Sequence, residues 1–331
     1  MQRLMRSLVI IGLALAAAVA SAPAAQARPA VAAAGPSPLC GALTGAPVDV
    51  RHVLVVVMEN HSYRDVIGPR GSAVAAHAPF INRTLKRGCG LATAYRAVTH
   101  PSLPNYLALV AGTRGGIATD CTSCTSAAPT LFERLAAAGR GWRVWAESMP
   151  GRCSQAASSG EYLKRHNPAT YFPAIAAGCA RWDVPMGGAT GRFARALSGG
   201  PLPAYGMVVP NACNDMHDCS VATGDRWLAR WVPRIAATPS YQAGHTVVFV
   251  VWDEGEGGGY GGENCLRAVS DESCHVAALV LSEHTRPGTR SSEVVSHYSV
   301  LRAAQALLGS RPFLGKARTA PSLRAAFGLG G

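Results

Sequence analysis

The sequence predicts an α/β fold, a mostly parallel central sheet with helices on both faces. Three observations carry this. Short, continuous β-branched runs recur along the chain, helix-like segments separate them, and two of the runs pass directly into acids. His52–Met58 is apolar at every position after the first, as a central strand covered on both faces requires. Similar runs follow at 142–146, 205–210, 246–252 and 276–282, with helix-like stretches at 78–87, 130–138, 191–197, 224–236 and 299–308. No repeat and no interdomain linker interrupts the alternation, so residues 51–331 read as a single domain.

Ahead of it, residues 1–27 read as an export signal. Arg3 and Arg6 form a basic head, Leu8 to Ala20 is apolar throughout, and Ala25-Gln26-Ala27 offers a cleavage point. That apolar run is too short to span a bilayer of ~30 Å. Residues 28–50 are Ala/Pro-rich and read as a loose leader. Ten cysteines, all beyond the signal, agree with an oxidising, extracellular destination and allow up to five disulfides. Cys213/Cys219 and Cys265/Cys274 are close enough to staple loops. Cys121 and Cys124 form a lone CxxC without the second pair that a four-thiolate zinc site needs.

Of 331 residues, 48% are hydrophobic and 15% charged, which excludes a disordered or fibrous chain. The formal charge is +12, and the only lysines are Lys86, Lys164 and Lys316. Positive charge is therefore almost all arginine, suited to phosphate. It is spread along the chain with no arginine block interleaved with aromatics, so specific nucleic-acid binding is not expected. Anionic substrates, and contact with an anionic membrane surface, fit better.

Chemistry concentrates at the strand ends. The 53–58 run leads straight into Glu59-Asn60, and the 246–252 run into Asp253-Glu254. Ligands of open parallel sheets bind beyond the carboxyl ends of strands. Either pair alone could mark only the point where a strand reaches water. Together, three carboxylates and an amide at one edge repel unless a cation sits among them, and such oxygens suit a hard divalent ion. The glycine-rich 255–262 segment leaves room for close approach. Thr99-His-Pro-Ser-Leu-Pro-Asn-Tyr106 holds Ser102 between two prolines that stiffen the bend. A helix starting near Asn105 would aim free N–H groups at an anion, and a metal-stabilised Ser102 alkoxide could attack phosphorus. A plain turn and N-cap is the alternative.

Met58-Glu-Asn-His-Ser-Tyr63, His100-Pro-Ser-Leu-Pro-Asn-Tyr106 and Trp252-Asp-Glu-Gly255, in that order, resemble the bacterial phosphoesterase family of phospholipases C and secreted acid phosphatases. The resemblance covers roughly residues 50–310 and is closest to acid phosphatases acting on phosphatidylinositol 3-phosphate. It implies an alkaline-phosphatase-like fold, a phosphoserine on Ser102, and a metal held by Glu59, Asn60, Ser102, Asp253 and Glu254. It further implies that Asn105 touches the phosphoryl group, that His275 and His297 bind substrate, and an acid pH optimum. His166 of His166-Asn-Pro168 and His217 of Asn214-Asp-Met-His217 would face the phosphate, one of them protonating the leaving group. Asp215 would join the metal site, although it lies two residues from His217 where the wider two-metal superfamily has four.

The expected enzyme is thus a secreted metal-dependent phosphomonoesterase acting on a phosphorylated small molecule or phosphoinositide head group. The sequence does not distinguish Ca²⁺, Mg²⁺, Mn²⁺, Zn²⁺ or iron. A phospholipase C-type diesterase on the same residues is the alternative. A non-catalytic exported metal-binding protein is a second. Cys-x5-Arg, Asp-x-Asp, Arg-His-Gly and Gly-x-Ser-x-Gly signatures are all absent.

Overall fold

A computed structural model describes residues 39–257, 265–268 and 270–331. The export segment 1–27, the leader up to residue 38 and glycines 258, 259, 261 and 262 lie outside the described residues. Eight strands form the central sheet: β1 (His52–Met58), β2 (Gly90–Ala92), β3 (Trp142–Ala146), β4 (Asp183–Pro185), β5 (Tyr205–Val209), β6 (Thr246–Trp252), β7 (Ala278–Leu281) and β8 (Arg290–Ser291). Their spatial order is β8-β2-β7-β6-β1-β5-β3-β4.

β1 lies at the centre because its side chains need cover on both faces, and every residue from Val53 to Met58 is buried. It pairs in parallel with β5 on one side and β6 on the other, and β3 and β4 continue the parallel run. The register with β6 sets Met58 opposite Trp252, so the two acidic segments leave the sheet side by side.

β7 is antiparallel to β6 and to β2. The chain leaves β6 at the carboxyl edge and re-enters β7 from that same edge, which leaves only the reverse direction. β7 is also shorter than the 276–282 run. Val276 instead pairs with Ser62 and donates to the Tyr95 carbonyl, while His275 pairs with Arg96, so both residues serve the loops above the sheet.

The helices are α1 (Ser102–Ala111), α2 (Leu131–Ala137), α3 (Val221–Ala236) and α4 (His297–Leu307), with shorter turns between. α2 starts where Thr130 and Glu133 cap one another's backbone N–H, the Thr-x-x-Glu pattern of its sequence. α1 begins at Ser102, three residues before the expected start. Pro104 is tolerated because a first-turn residue needs no N–H partner, and the Leu103 N–H is taken by Asp120 at 2.9 Å. The chain's own carboxylate thus occupies a donor that the sequence reading left free for a ligand.

All ten cysteines pair: Cys40–Cys89, Cys121–Cys124, Cys153–Cys179, Cys213–Cys219 and Cys265–Cys274. The first ties the end of the Ala/Pro-rich 28–50 segment to the domain. Cys40 is buried, and Gly41 and Leu43 donate to the Ser282 and Glu283 carbonyls.

Asp183 at the start of β4 is fully buried and receives two hydrogen bonds from the Asn167 amide, at 3.0 and 3.1 Å. Burial raises its pKa to about 7 against that donation. The folded state then holds a proton that the unfolded chain has lost, so stability falls as pH rises from about 4 to about 7 and levels above. Asp183→Asn should flatten that slope in urea melts across the window, and an unchanged slope would assign it to other groups.

Candidate active site

Glu59 follows β1 directly and is wholly buried. Asn60 turns the chain immediately afterwards at φ 58, a left-handed conformation that asparagine tolerates better than most residues. Its N–H reaches Asp253 at 3.3 Å, stitching the two strand ends together. Gly255 is required by packing: a Cβ there would lie 2.4 Å from the Ser62 hydroxyl and 2.8 Å from the Ser273 carbonyl. Only glycine lets the chain turn that close behind Asp253 and Glu254.

Ser102, at the N-terminus of α1, is 2% exposed. Its hydroxyl lies 3.1 Å from Glu59 Oε2 and 3.4 Å from Glu254 Oε1, so it bridges the acids of two different strands. Asn105 is used on every side. Its Oδ1 accepts from the Val98 and Thr99 N–H groups, and its Nδ2 donates to the Thr99 carbonyl and to Glu254 Oε2. It shapes the turn that presents Ser102.

Asp215 is buried and accepts the His217 N–H at 2.8 Å, and its carbonyl accepts from Glu59 N–H. Between them Met216 adopts φ 90, the backbone twist that lets residues only two apart face one site. His166 is buried with its ring 3.3 Å from both Glu59 Oε1 and Asp215 Oδ2, stacked on Tyr106 at 5.3 Å between centroids. His217 is more open, with Nδ1 2.6 Å from Asp218 and Nε2 3.2 Å from Arg165. Glu59, His166 and His217 each offer a ligand atom within 4.8 Å of the others.

His275 and His297 have their ring nitrogens engaged by the protein itself. His275 stacks on Tyr63 and bonds the Thr93 carbonyl. His297 is buried behind Asp253: Nε2 donates to the Asp253 carbonyl at 2.7 Å and Nδ1 accepts from the Tyr95 hydroxyl. Burial drops its pKa to about 4, so it holds the strand end as a neutral ring.

Four residues that sequence reasoning missed also converge here. His100 Nδ1 lies 3.1 Å from Glu254 Oε2. Tyr106 backs His166. Asp120, besides holding Leu103 N–H, lies 3.5 Å from Arg165, whose guanidinium also reaches His217. His100 and Tyr106 flank Ser102 within one quoted motif, a usable signal. Asp120 and Arg165 had none, since only the folded loops bring them together.

The electrostatics are those of an uncompensated cluster. Burial, then the neighbouring Asp253 and Asp215, hold the Glu59 carboxyl well above its ordinary range. Asp253 and Asp215 are raised by burial in the same way, and Glu254 is pushed up to about 8 by burial and Asp120. His166 is pushed well below an ordinary imidazole by burial and by Arg165. Glu59 Oε1, Asp253 Oδ2 and Asp215 Oδ2 are buried without a hydrogen-bond donor. Orphaned carboxylate oxygens beside a neutral imidazole suit a divalent cation. The other two candidate groupings, around Cys265/Cys274 and Cys153/Cys179, have their sulfurs in disulfides.

The phosphoesterase family profile matches residues 74–309. The chain belongs to the phosphoesterase family. It is a phosphoric ester hydrolase. It is 32% identical over 322 residues, 97% of its length and 94% of the relative's, to a phosphatidylinositol-3-phosphatase of Mycobacterium tuberculosis. It is 26% identical over 234 residues to an Aspergillus fumigatus acid phosphatase, covering 68% of this chain and 49% of that one. The fold is that of the alkaline phosphatase superfamily. A Vibrio parahaemolyticus member superposes with a TM-score of 0.55 at 13% identity, over 88% of this chain and 76% of that one. A phosphonate monoester hydrolase of Agrobacterium radiobacter gives 0.52 at 13% identity, over 85% and 78%.

Asn105→Ala should cost at least about 1–3 kcal/mol in denaturant unfolding, because it strands two buried N–H donors. Stability equal to the parent would mean that the 98–101 turn is held by other contacts.

Proposed function

We propose that this enzyme is a secreted, metal-dependent phosphomonoesterase that works through a phosphoserine on Ser102, with phosphatidylinositol 3-phosphate as its candidate substrate. The observation that carries the reading is the Ser102 hydroxyl held between Glu59 and Glu254 beside carboxylate oxygens that lack donors. The substrate rests on the likeness to the M. tuberculosis phosphatase, and secretion on the basic-apolar leader and the paired cysteines.

Glu59, Asp253 and Glu254, with Asp215 and His166 beside them, would hold the cation. When bound, a divalent ion supplies Lewis acidity that favours ionised serine and screens phosphoryl charge. Glu59 or Glu254 accepts the Ser102 proton as Oγ bonds to phosphorus. The ester P–O bond breaks, and the departing alcohol takes its proton from Nε2 of a protonated His217. Asp218 holds that ring through Nδ1, and Arg165 frees Nε2 by turning from it to the phosphoryl oxygens. His166, wedged between carboxylates and held neutral, is better placed as a ligand than as an acid. Water then cleaves the phosphoserine, releasing phosphate and restoring the hydroxyl. Arg165, beside His217, supplies a cation for the phosphoryl oxygens.

Hydrolysis of p-nitrophenyl phosphate should exceed that of its bis-ester, and both chelation and Ser102→Ala should lower it by at least about 10³-fold. Preference for the bis-ester would transfer the assignment to a phospholipase C-type diesterase. Full activity in Ser102→Ala would remove the phosphoserine.

Metal binding should also release protons. Glu254 is raised to about 8, and burial raises Glu59, Asp215 and Asp253 as well, so without a cation these carboxyls hold protons that a bound cation must displace. His166, already neutral, adds none. Affinity should therefore climb as pH rises towards about 8, with proton release shrinking over the same interval. Calorimetry in buffers of different ionisation enthalpy measures this, and release near zero throughout would take Glu59 and Glu254 out of the ligand set.

A further inference from the structure

A second concentration of charge lies at the sheet's outer edge. A cavity of about 610 Å³ there is lined by Arg70, Arg83, Lys86, Arg87 and Arg290, and by no carboxylate. None of the active-site residues lines it. The five come from three stretches of chain: the loop after Ile67, the helical turns before β2, and the start of β8. Folding, not sequence proximity, therefore brings the charges together.

Basic residues on a surface are ordinarily paired with acids or spread apart. Among the described residues, no carboxylate forms an ion pair with any of these five. Lys86 and Arg290 are anchored by uncharged backbone: Lys86 Nζ donates to the Gly68 carbonyl at 2.6 Å, and Arg290 to the Lys86 carbonyl at 2.6 Å. Those bonds hold the two side chains in place without neutralising them. Lys86 is partly desolvated and crowded by Arg290 and Arg87, both of which disfavour its charge. The cavity is the size of an ordinary small-molecule site. Planar guanidinium groups converging on such a space match the oxygens of a phosphate ester.

We propose that this cavity is a second anion site, which binds a phosphate-bearing group without hydrolysing it. That group is a phosphorylated lipid head group or a soluble phosphate ester, two sources of the same chemistry. The inference does not depend on the catalytic assignment, because no lining residue is shared with the carboxylate cluster.

The test uses the full chain carrying Ser102→Ala, so that no probe is consumed, with and without Arg70→Gln, Arg83→Gln and Arg87→Gln. These three side chains are exposed. The triple change in the Ser102 enzyme should leave p-nitrophenyl phosphate turnover intact, which checks folding. Vesicles of phosphatidylcholine with a phosphatidylinositol phosphate form one arm, and soluble inositol bisphosphate the other. Each basic side chain near an anionic surface contributes about fivefold in affinity, so vesicle binding should weaken about 100-fold in the triple variant. Loss confined to the vesicle arm identifies a lipid head group, and loss of inositol bisphosphate binding identifies a soluble ester. A triple variant that folds, turns over and binds both probes as tightly as its parent overturns the proposal.

Discussion

The parallel pairing of β1 with β6 is the constraint from which the rest of the site follows. Seven residues of each strand run in register, ending with Met58 beside Trp252. Each strand is buried along almost its whole length and paired at all seven residues, so a slip would break the shared ladder and repack both close-packed faces. Glu59 and Asp253 are the next residues of each chain, and the hydrophobic core therefore fixes their separation. A pair of carboxylates that repel is held together by strands that cannot part.

Much of what surrounds them offsets that repulsion. Asn60 N–H, the Ser102 hydroxyl, Asn105 and His100 all direct donors or a ring nitrogen at the cluster. His297 grips the backbone behind Asp253. These contacts still leave three carboxylate oxygens without a donor. Arg165 is felt by both Asp215 and Glu254, but it lies at the mouth, where it is shared with Asp120 and His217. Among the described residues the deep side of the site lacks positive charge and the more open side has it in Arg165, a polarity that suits a cation below and a phosphoryl group above.

The legible parts of the sequence were those where local pattern and tertiary role coincide. Strands 52–58, 142–146 and 246–252 show their β-branched runs directly, and their acidic ends pointed to one edge because parallel strands must end together. The capping pair Thr130 and Glu133 likewise marks α2. What sequence hid was set by contact between distant segments. Asp120 captures the helix start that seemed free for an anion. Asn105, expected at the phosphoryl group, also builds the turn before Ser102 and donates to Glu254. His275 and His297 are histidines near the right strands, but their rings are engaged by Thr93, Tyr63, Tyr95 and the Asp253 carbonyl. Spacing reports which residues can reach an edge, whereas hydrogen bonding decides which remain available there.

The site is divided between two kinds of support. The deep carboxylates ride on strand ends whose geometry the core enforces. The groups at the mouth ride on loops, which have no core of their own and lose more conformational freedom on ordering. Short disulfides lie beside those loops. Cys213–Cys219 encloses Asp215 and His217, Cys121–Cys124 follows Asp120, and Cys265–Cys274 closes the segment against which His100 rests through Ser273. Covalent closure there does what burial does at the strand ends, limiting the states from which each loop must be ordered. The disulfides therefore act on the arrangement of the mouth of the site, where burial has least hold.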